Sequence, residues 1–301
     1  MISIKQLSYA LAVGKTLHFK KAAEMCFVSQ SALSTALSEL EKQLGIQIFE
    51  RDNKKVLITP LGQEVLERAR KILLQVEDLQ HLADNGKVPL SFPITVGVIP
   101  TIAPYLLPRI FPLINDRFPK AELTIVEEQS HVVVDLVRSG EIDTAILALP
   151  YPCEGLLTME FWQEDFYWVT QSGSEHAKQK EVTSHEINQA KLMLLKEGHC
   201  LKDHIVDVCK FSGQQANHGF GATSLNTLIQ MVLGNLGTTL IPAMALDQLT
   251  ANNKQLSAIH LNEPGPHRRI AFLVRPNYTR MSSIEALMAL CKESLPRLII
   301  N

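Results

Sequence analysis

The 301-residue sequence contains no apolar run of the roughly 18–20 residues that a membrane-spanning helix requires. Its first residues, MISIKQLSYALAVGKT, lack the basic start, the long apolar core and the small-residue cleavage site of a signal peptide. No G-x-G-x-x-G, Walker or G-x-S-x-G motif is present. The sequence therefore gives no support for the commonest nucleotide-binding and hydrolase sites. These absences lead us to expect a cytoplasmic protein with no membrane partner.

The sequence also has few cysteines. There are five, an odd number that does not suggest the disulfide framework of a secreted protein. In a reducing compartment, a disulfide that does form is more often regulatory or catalytic than structural. Hydrophobic residues make up 46% of the chain and charged residues 20%, which is typical of folded globular domains. The length predicts two or three such domains.

The net charge of −2 is distributed unevenly along the chain. Residues 1–58 contain eight Lys or Arg and five Asp or Glu, a net charge of +3 that leaves −5 for the remainder. A basic first segment joined to an acidic body favours a separate nucleic-acid-binding module.

The basic segment is predicted to form three short helices and a hairpin. We expect helices over 4–13 (ending near Gly14) and 19–25, then a third that Ser29 caps and Gly45 ends. One face of the third helix is an apolar row that packs inward, and the other carries short hydrogen-bonding side chains suited to a DNA groove. The expected DNA-binding residues of this helix are Ser29, Gln30, Ser31, Ser34, Thr35 and Ser38.

A two-stranded wing is predicted after the third helix. Its strands are expected over 46–49 and 56–58, around a basic tip at which Arg51, Asn53 and Lys54 would contact phosphates. A helix–turn–helix with a wing is an arrangement that binds double-stranded DNA. The third helix of such a domain enters the major groove.

A long helix is predicted to start at Thr59-Pro60, with Thr as the N-cap and Pro at the first helical position. An apolar stripe then repeats at spacings of three and four residues. We favour a helix that pairs with a second copy, and the alternative is a helix that lies on its own domain. The stripe consists of Leu61, Val65, Ala69, Ile72, Val76, Leu79 and Ala83.

From residue 92 onward, apolar strands alternate with helices, which predicts an α/β domain with mostly parallel sheets. About 210 residues is large for one small sheet, so we expect two lobes with a cleft between them. The expected strands are 94–99, 123–126, 144–149, 192–195, 238–241 and 270–274, and the expected helices are 105–118, 131–139, 224–236 and 283–295. The predicted domains are 1–58, 59–88 and 92–301, with lobe I over 92–162 and 268–301 and lobe II over 163–267.

The first 62 residues resemble the DNA-binding domain of the LysR-type bacterial transcription regulators. The stretches that carry the resemblance are HFKKAAE (18–24), VSQSALS (28–34), LEKQLG (40–45), IFER (48–51) and LITPLG (57–62). The resemblance implies a winged helix–turn–helix, a dimerising linker helix and a two-lobed, periplasmic-binding-protein-like sensor domain. It also implies a homodimer that assembles into a homotetramer on promoter DNA, with RNA polymerase as a partner.

Within this family, the sensor domain is similar to the peroxide-responsive OxyR group. The resemblance rests on GHCLKD (198–203) followed by Cys209, and is supported by TIAPYLLP (101–108) and EQSH (128–131). Ser130 stands where that group often has Thr, and Ala103 where it often has Gly. The resemblance implies that hydrogen peroxide oxidises Cys200 and that Cys209 resolves the product into a disulfide. It further implies a peroxide pocket formed by Thr101, Ser130, His199, Asp203 and Arg268, with Arg269 as an alternative to Arg268.

The residues around Cys200 suit this chemistry because a thiolate is the nucleophile that attacks peroxide. His199, Lys202 and the start of a helix over 203–209 are expected to lower the pKa of the thiol, whereas Asp203 opposes them. Nine residues along one helix rise by roughly 13.5 Å and place Cys200 and Cys209 on opposite faces. A disulfide needs Cα atoms within about 4.4–6.8 Å, so segment 200–209 must unwind or repack. Oxidation would therefore act as a conformational switch that alters the spacing of the DNA-binding heads.

Several other interpretations stay open on the residues alone. Cys200 and Cys209 could be buried structural cysteines, as we expect for Cys26, Cys153 and Cys291. A metal site at these two cysteines with His199 and His204 does not match the usual zinc spacings, and we expect neither metal nor cofactor. The rival functions are a LysR-type regulator of a small metabolite and a thiol peroxidase. We expect a non-enzymatic regulator whose disulfide is reduced by the cell's thiol systems.

Overall fold

The computed structural model describes residues 1–52, 55–82, 88–187, 191–210, 221–251 and 253–295. The chain divides into two compact units, Met1–Asn85 and Gly86–Asn301. None of the helices in the described part of the chain combines the length and the apolar character that crossing a lipid bilayer requires.

The first unit is a winged helix–turn–helix followed by a long helix, as predicted. Leu33, Leu37 and Leu40 form the buried row of the third helix, where they pack with Ile48 and Phe49. The elements are α1 (Ile4–Thr16), α2 (Phe19–Met25), α3 (Gln30–Leu44), β1 (Phe49–Asp52), β2 (Lys55–Ile58) and α4 (Pro60–Leu82).

Local capping sets the boundaries of two of these helices, and the predicted caps are confirmed. Ser29 Oγ accepts a hydrogen bond from Ala32 N at 3.2 Å, and Gly45 ends α3 in the left-handed conformation at φ +67°. Thr59 Oγ1 accepts from the amide of Gly62 at 2.8 Å, at the start of α4.

Two predicted boundaries in this unit are wrong. Helix α1 continues through Gly14 to Thr16. A side chain at Gly14 would meet Leu66 of α4 at 2.9 Å, so this glycine allows close packing of the two helices and does not end the first one. The first wing strand covers 49–52 instead of 46–49, because the Glu41 carboxylate accepts from the amides of Ile48 and Phe49 at 2.8 and 3.1 Å.

The apolar stripe of α4 divides into two parts. Ala69 is buried in the core of the first unit, whereas Leu61, Ile72 and Leu79 are 56, 42 and 66% exposed. One part of the stripe therefore belongs to its own domain, and the other presents apolar surface available to a second helix. Ala83, the last residue of the predicted stripe, lies outside the described residues.

The second unit contains eleven strands and seven α-helices in its described part. The strands are β3 (Ile94–Val98), β4 (Leu123–Glu127), β5 (Thr144–Leu149), β6 (Leu157–Glu164), β7 (Phe166–Gln171), β8 (Glu181–Val182), β9 (Leu194–Leu195), β10 (Gly221–Ala222), β11 (Thr239–Pro242), β12 (Leu256–Leu261) and β13 (Arg268–Val274). The helices are α5 (Ala103–Arg117), α6 (Ser130–Ser139), α7 (Ser184–Ile187), α8 (Cys200–Cys209), α9 (Leu225–Leu233), α10 (Leu246–Leu249) and α11 (Met281–Ser294).

Two main sheets organise the second unit, one of five strands in the order β4-β3-β5-β13-β6 and one of four in the order β11-β7-β12-β8. The prediction of mostly parallel sheets is wrong, because β13 runs antiparallel to both β5 and β6, and β7 runs antiparallel to both β11 and β12. The chain passes straight from β6 through Asp165 into β7 and returns from β12 to β13. Strands β6, β7 and β12, which form these crossings, were absent from the prediction.

Gly97 in β3 lies close to α6 and to the residues that follow it. A Cβ atom at Gly97 would lie 2.6 Å from Ile142 Cδ1 and 3.1 Å from Val133 Cγ1. We expect Gly97→Ala to lower the free energy of unfolding of this unit by roughly 1–3 kcal/mol through overpacking. Urea denaturation followed by tryptophan fluorescence reports on this unit, since both tryptophans, Trp162 and Trp168, lie within it.

Gly173→Ala is the matched control, because nothing lies within 4 Å of a Cβ atom built there. It should change the free energy of unfolding by less than about 0.5 kcal/mol. Equal effects of the two substitutions would contradict the close packing at Gly97.

Candidate functional site

Helix α8 places Cys200 at its first residue and Cys209 at its last. Gly198 adopts φ +92° just before the helix, and a Cβ atom there would meet Gln129 Oε1 at 2.5 Å. Glycine therefore lets the chain turn into α8 while remaining close to the start of α6. Cys200 is 3% exposed and so lies at a buried helix N-terminus.

A small recess lies beside Cys200, too narrow in this conformation to hold a water-sized molecule. Its lining residues are Ile99, Pro100, Thr101, Gln129, Ser130, His199 and Cys200. The structure thus brings Thr101, Ser130 and His199 of the predicted pocket together with the thiol. The Ser130 hydroxyl is buried and has no hydrogen-bond partner of normal geometry among the described residues.

Arg268 reaches this recess through Thr101. Its Nη1 donates to Thr101 Oγ1 and its Nη2 to the Thr101 carbonyl, both at 3.2 Å, while its Nε donates to Glu164 Oε1 at 2.7 Å. Neither the Arg268 nor the Glu164 side chain is exposed. Arg269, the alternative considered from the sequence, is partly exposed and pairs with Glu160 at 2.7 Å. Arg268 is therefore the arginine at this site.

Asp203 does not line the recess. Its side chain is exposed, and its negative charge acts on Cys200 only by raising the pKa of the thiol. The ammonium group of Lys202 lies 3.7 Å from Glu197.

The expectation that the surroundings of Cys200 lower the pKa of its thiol on balance is wrong. Burial is the largest influence and raises the pKa of the thiol, because it disfavours the charged form. A hydrogen bond from Ser130, the positive charge of Arg268 and a backbone hydrogen bond from Ala148 act in the opposite direction. Burial also lowers the pKa of His199, which makes it a poor source of positive charge. The reduced site therefore holds a protonated thiol, and the Ser130 hydroxyl is positioned to stabilise the thiolate when it forms.

Cys209 is held apart from Cys200 by the intact helix. It is 4% exposed, and burial raises the pKa of its thiol to about 12. Both thiols are free in this structure. Of the three cysteines expected to be structural, Cys291 is buried, whereas Cys26 and Cys153 are half-buried at the edges of their cores.

His204 lies one helical turn after Cys200 and is 2% exposed. Its Nε2 is 2.9 Å from the carbonyl oxygen of Pro150, and its Nδ1 is buried without a partner among the described residues. Within the same residues, no group of three or more His, Cys, Asp or Glu side chains is placed to hold a metal ion.

The predicted DNA-binding face of α3 is largely open to solvent. Gln30, Ser31, Thr35 and Ser38 are exposed together with the capping Ser29, and Ser34 is half-buried. Of the wing residues, Arg51 is paired with Val56 in the hairpin, but its side chain is outside the described structure, as are Asn53 and Lys54 entirely.

Three site residues escaped the sequence-based prediction of roles. Gln129 adjoins Ser130 and belongs to a stretch that was recognised, so its position was a usable signal. Glu164 pairs with a residue 104 positions away, and no local pattern indicates such a contact. The sequence suggests His204 only as a metal ligand. Its hydrogen-bond partner is the backbone carbonyl of Pro150, and no sequence motif indicates such a contact.

Comparisons with known proteins cover both units. Residues 4–63 match the family described as "Bacterial regulatory helix-turn-helix protein, lysR family", and residues 90–296 match "LysR substrate binding domain". The chain is 36% identical over 297 residues to a probable hydrogen peroxide-inducible genes activator of Streptomyces viridosporus, covering 97% of this chain and 94% of that protein. It is 35% identical over 293 residues to the HTH-type transcriptional regulator EstR of Acinetobacter baylyi, covering 96% of each.

Solved structures of OxyR are similar to the chain over nearly its whole length. A full-length OxyR from Pseudomonas aeruginosa, with an aspartate in place of one cysteine, matches with a TM-score of 0.82 and 32% identity, covering 97% of this chain and 95% of that one. A cysteine-to-serine variant of OxyR from Corynebacterium glutamicum with hydrogen peroxide bound matches with a TM-score of 0.67 and 32% identity, covering 98% and 92%. The chain belongs to the LysR family of bacterial helix–turn–helix regulators.

Proposed function

We propose that this protein is a DNA-binding transcription regulator that senses hydrogen peroxide by oxidation of Cys200, with Cys209 as the resolving thiol. The names of its relatives do not decide this, since a regulator called EstR is as similar as a peroxide-inducible activator. The observation that carries the proposal is the buried Ser130 hydroxyl beside the Cys200 thiol, whose hydrogen bond to that sulfur falls outside normal geometry. A buried hydroxyl with only such a contact is costly, and a bound peroxide oxygen would satisfy it.

The recess supplies two hydroxyl donors for the two oxygens of peroxide. Thr101 Oγ1 accepts from Arg268, so its own proton is available to a ligand, and among the described residues the Ser130 proton has no acceptor besides the Cys200 sulfur. Both groups can also stabilise the hydroxide that leaves when the O–O bond breaks.

The first step is a two-electron oxidation of sulfur. The Cys200 thiolate attacks one peroxide oxygen, an S–O bond forms and the O–O bond breaks. The departing hydroxide takes up the proton released by the thiol and becomes water. The products are a sulfenic acid at Cys200 and one water molecule, and the peroxide has been reduced by two electrons.

The second step condenses the sulfenic acid with the Cys209 thiol to give a disulfide and a second water molecule. Because α8 separates the two sulfurs, this step requires the helix to unwind or repack. A cellular dithiol reductant returns both cysteines to the thiol form.

The rearrangement of α8 would reach DNA through the oligomer. We infer a homodimer formed through the exposed stripe of α4, assembling to a homotetramer on operator DNA and contacting RNA polymerase. A changed arrangement of subunits alters the distance between two recognition helices, and this distance sets which half-site spacing is bound.

The alternative, a LysR-type regulator of an organic metabolite, is less well supported by the recess. Pockets for such ligands measure about 300–1,000 Å³. The recess beside Cys200 is too narrow for such a ligand, and even a water-sized molecule would need its lining side chains to shift.

Peroxide treatment should link Cys200 to Cys209. Trypsin cleaves after Lys202, so the two cysteines fall on separate peptides that only a disulfide can hold together. We expect peptide mass spectrometry to find this linked pair after a small excess of hydrogen peroxide, and dithiothreitol to remove it. Cys200→Ser should abolish the linkage, and Cys291 should stay reduced. If both cysteines remain thiols in the parent protein, the peroxide function is wrong.

Removing the Ser130 hydroxyl should make the Cys200 thiolate harder to form. Since a hydrogen bond from Ser130 lowers the pKa of Cys200, Ser130→Ala is expected to raise the pKa of this thiol further. The pH dependence of Cys200 alkylation by iodoacetamide, followed by peptide mass spectrometry, measures this shift. Ser130→Thr retains the hydroxyl and should behave like the parent, and a pKa unchanged in Ser130→Ala would refute the assigned role.

The exposed start of α3 should read DNA sequence. We expect Gln30→Ala to weaken binding to an operator selected from random DNA by the parent protein, by about 1–3 kcal/mol, the value of one base contact. Gln43→Ala, exposed near the end of the same helix, serves as the control and should bind like the parent. Fluorescence anisotropy titrations compare the three proteins, and equal affinities would show that Gln30 contacts no base.

A further inference from the structure

A hydrogen bond joins the middle of helix α8 to the end of β5 in the five-stranded sheet. The imidazole Nε2 of His204 lies 2.9 Å from the carbonyl oxygen of Pro150, the residue that follows β5. In sequence, α8 stands between β9 and β10, which pair with each other outside that sheet. The hydrogen bond therefore joins the redox helix to a part of the fold to which its own flanking strands do not belong.

The chemistry of the contact fixes the state of the ring. A carbonyl oxygen only accepts, so Nε2 carries the proton and donates it to Pro150. Nδ1 is then the unprotonated nitrogen, buried and without a partner among the described residues. Burial lowers the pKa of His204 and Arg268 adds to this, while the bond to Pro150, Asp203 and Asp207 act in the opposite direction. His204 is accordingly a neutral donor in the reduced protein.

We propose that His204 is a positioning residue that holds α8 in its reduced conformation and thereby limits the rate of disulfide formation, but not the rate of Cys200 oxidation. This inference rests on the proposed peroxide function. In this proposal, His204, which lies between the two cysteines in α8, controls the rate of the second chemical step.

The two steps make different demands on the helix. Cys200 lines the recess together with Thr101 and Ser130, so peroxide can reach the thiol through side-chain movements within the recess while α8 stays docked. Condensation of the sulfenic acid with the Cys209 thiol forms an S–S bond, breaks an S–O bond and releases water, and it requires two sulfurs at opposite ends of α8 to meet. The central turn must reorganise for this, and the contact between His204 and Pro150 must break first.

Breaking that contact is unfavourable because it disrupts a buried hydrogen bond. An interaction present in the docked state and absent from the transition state for undocking affects the undocking rate alone. Loss of the donor should therefore speed up the linkage step by about fivefold, the effect of one such hydrogen bond.

Two substitutions isolate the hydrogen bond from the rest of the ring. H204Q and H204L both remove the unpartnered Nδ1 and both leave a side chain of moderate size. The Gln amide can donate to Pro150 near the position of Nε2, whereas Leu cannot donate at all. Thermal unfolding of both variants checks that each is folded at the temperature of the assay.

The experiment measures the two rate constants separately in the full-length protein with hydrogen peroxide as the probe. In a Cys209→Ser background, trapping of the sulfenic acid with a dimedone-type reagent gives the second-order constant for Cys200 oxidation. With Cys209 present, quenching by acid and peptide mass spectrometry give the first-order constant for linkage.

We expect equal oxidation constants, within about twofold, for the parent, H204Q and H204L, and a linkage constant about fivefold higher in H204L than in H204Q. Equal linkage constants in the two variants, or slower linkage in H204L, would overturn the role of His204 while leaving the peroxide function intact. Absence of sulfenic acid at Cys200 in the parent would instead overturn the peroxide function and this inference with it.

Discussion

The buried ion pair between Arg268 and Glu164 is the contact on which the site depends. Arg268 begins β13 and Glu164 ends β6, so the pair lies where the chain passes between the two sheets. Glu164 Oε2 also accepts from the amide of Met244 at 2.7 Å. Arg268 donates to the hydroxyl and to the carbonyl oxygen of Thr101. Removing one partner of such a pair leaves an uncompensated buried charge, at a cost of about 3–5 kcal/mol. The geometry of the recess is therefore fixed by a contact between two neighbouring strands of the five-stranded sheet, and Glu164 links this contact to the residues that follow β11 of the four-stranded sheet.

The same pair moderates the chemistry of the thiol. Arg268 lowers the pKa of Cys200, but its charge is neutralised by Glu164, and burial of the sulfur outweighs it. Cys200 is thus kept protonated and inaccessible to large reagents, in a recess too narrow for an organic metabolite. Donors for the thiolate and the departing hydroxide are already in place at Thr101 and Ser130, so selectivity arises from size and preorganised hydrogen bonding.

Helix α8 keeps the environments of the two cysteines apart. Its first residue faces the recess, its last lies in a different buried environment near Glu263, and His204 fastens the turn between them. The intact helix keeps the two sulfurs apart. In the first unit, by contrast, the capped helices and the hairpin form a self-contained core, and α4 carries exposed leucines that suit a second copy of the chain.

The sequence by itself determined the features that depend on neighbours along the chain. Ser29, Gly45 and Thr59 act at fixed offsets from the helices they cap, the row of Leu33, Leu37 and Leu40 follows helical periodicity, and GHCLKD marks the start of α8. Tertiary structure alone decided the rest: the antiparallel crossing strands, the choice of Arg268 over Arg269, the exposure of Asp203, and the partners Glu164 and Pro150. It also reversed the expected direction of the Cys200 pKa. Burial and long-range contacts set these properties, and neither is written in the spacing of residues along one segment.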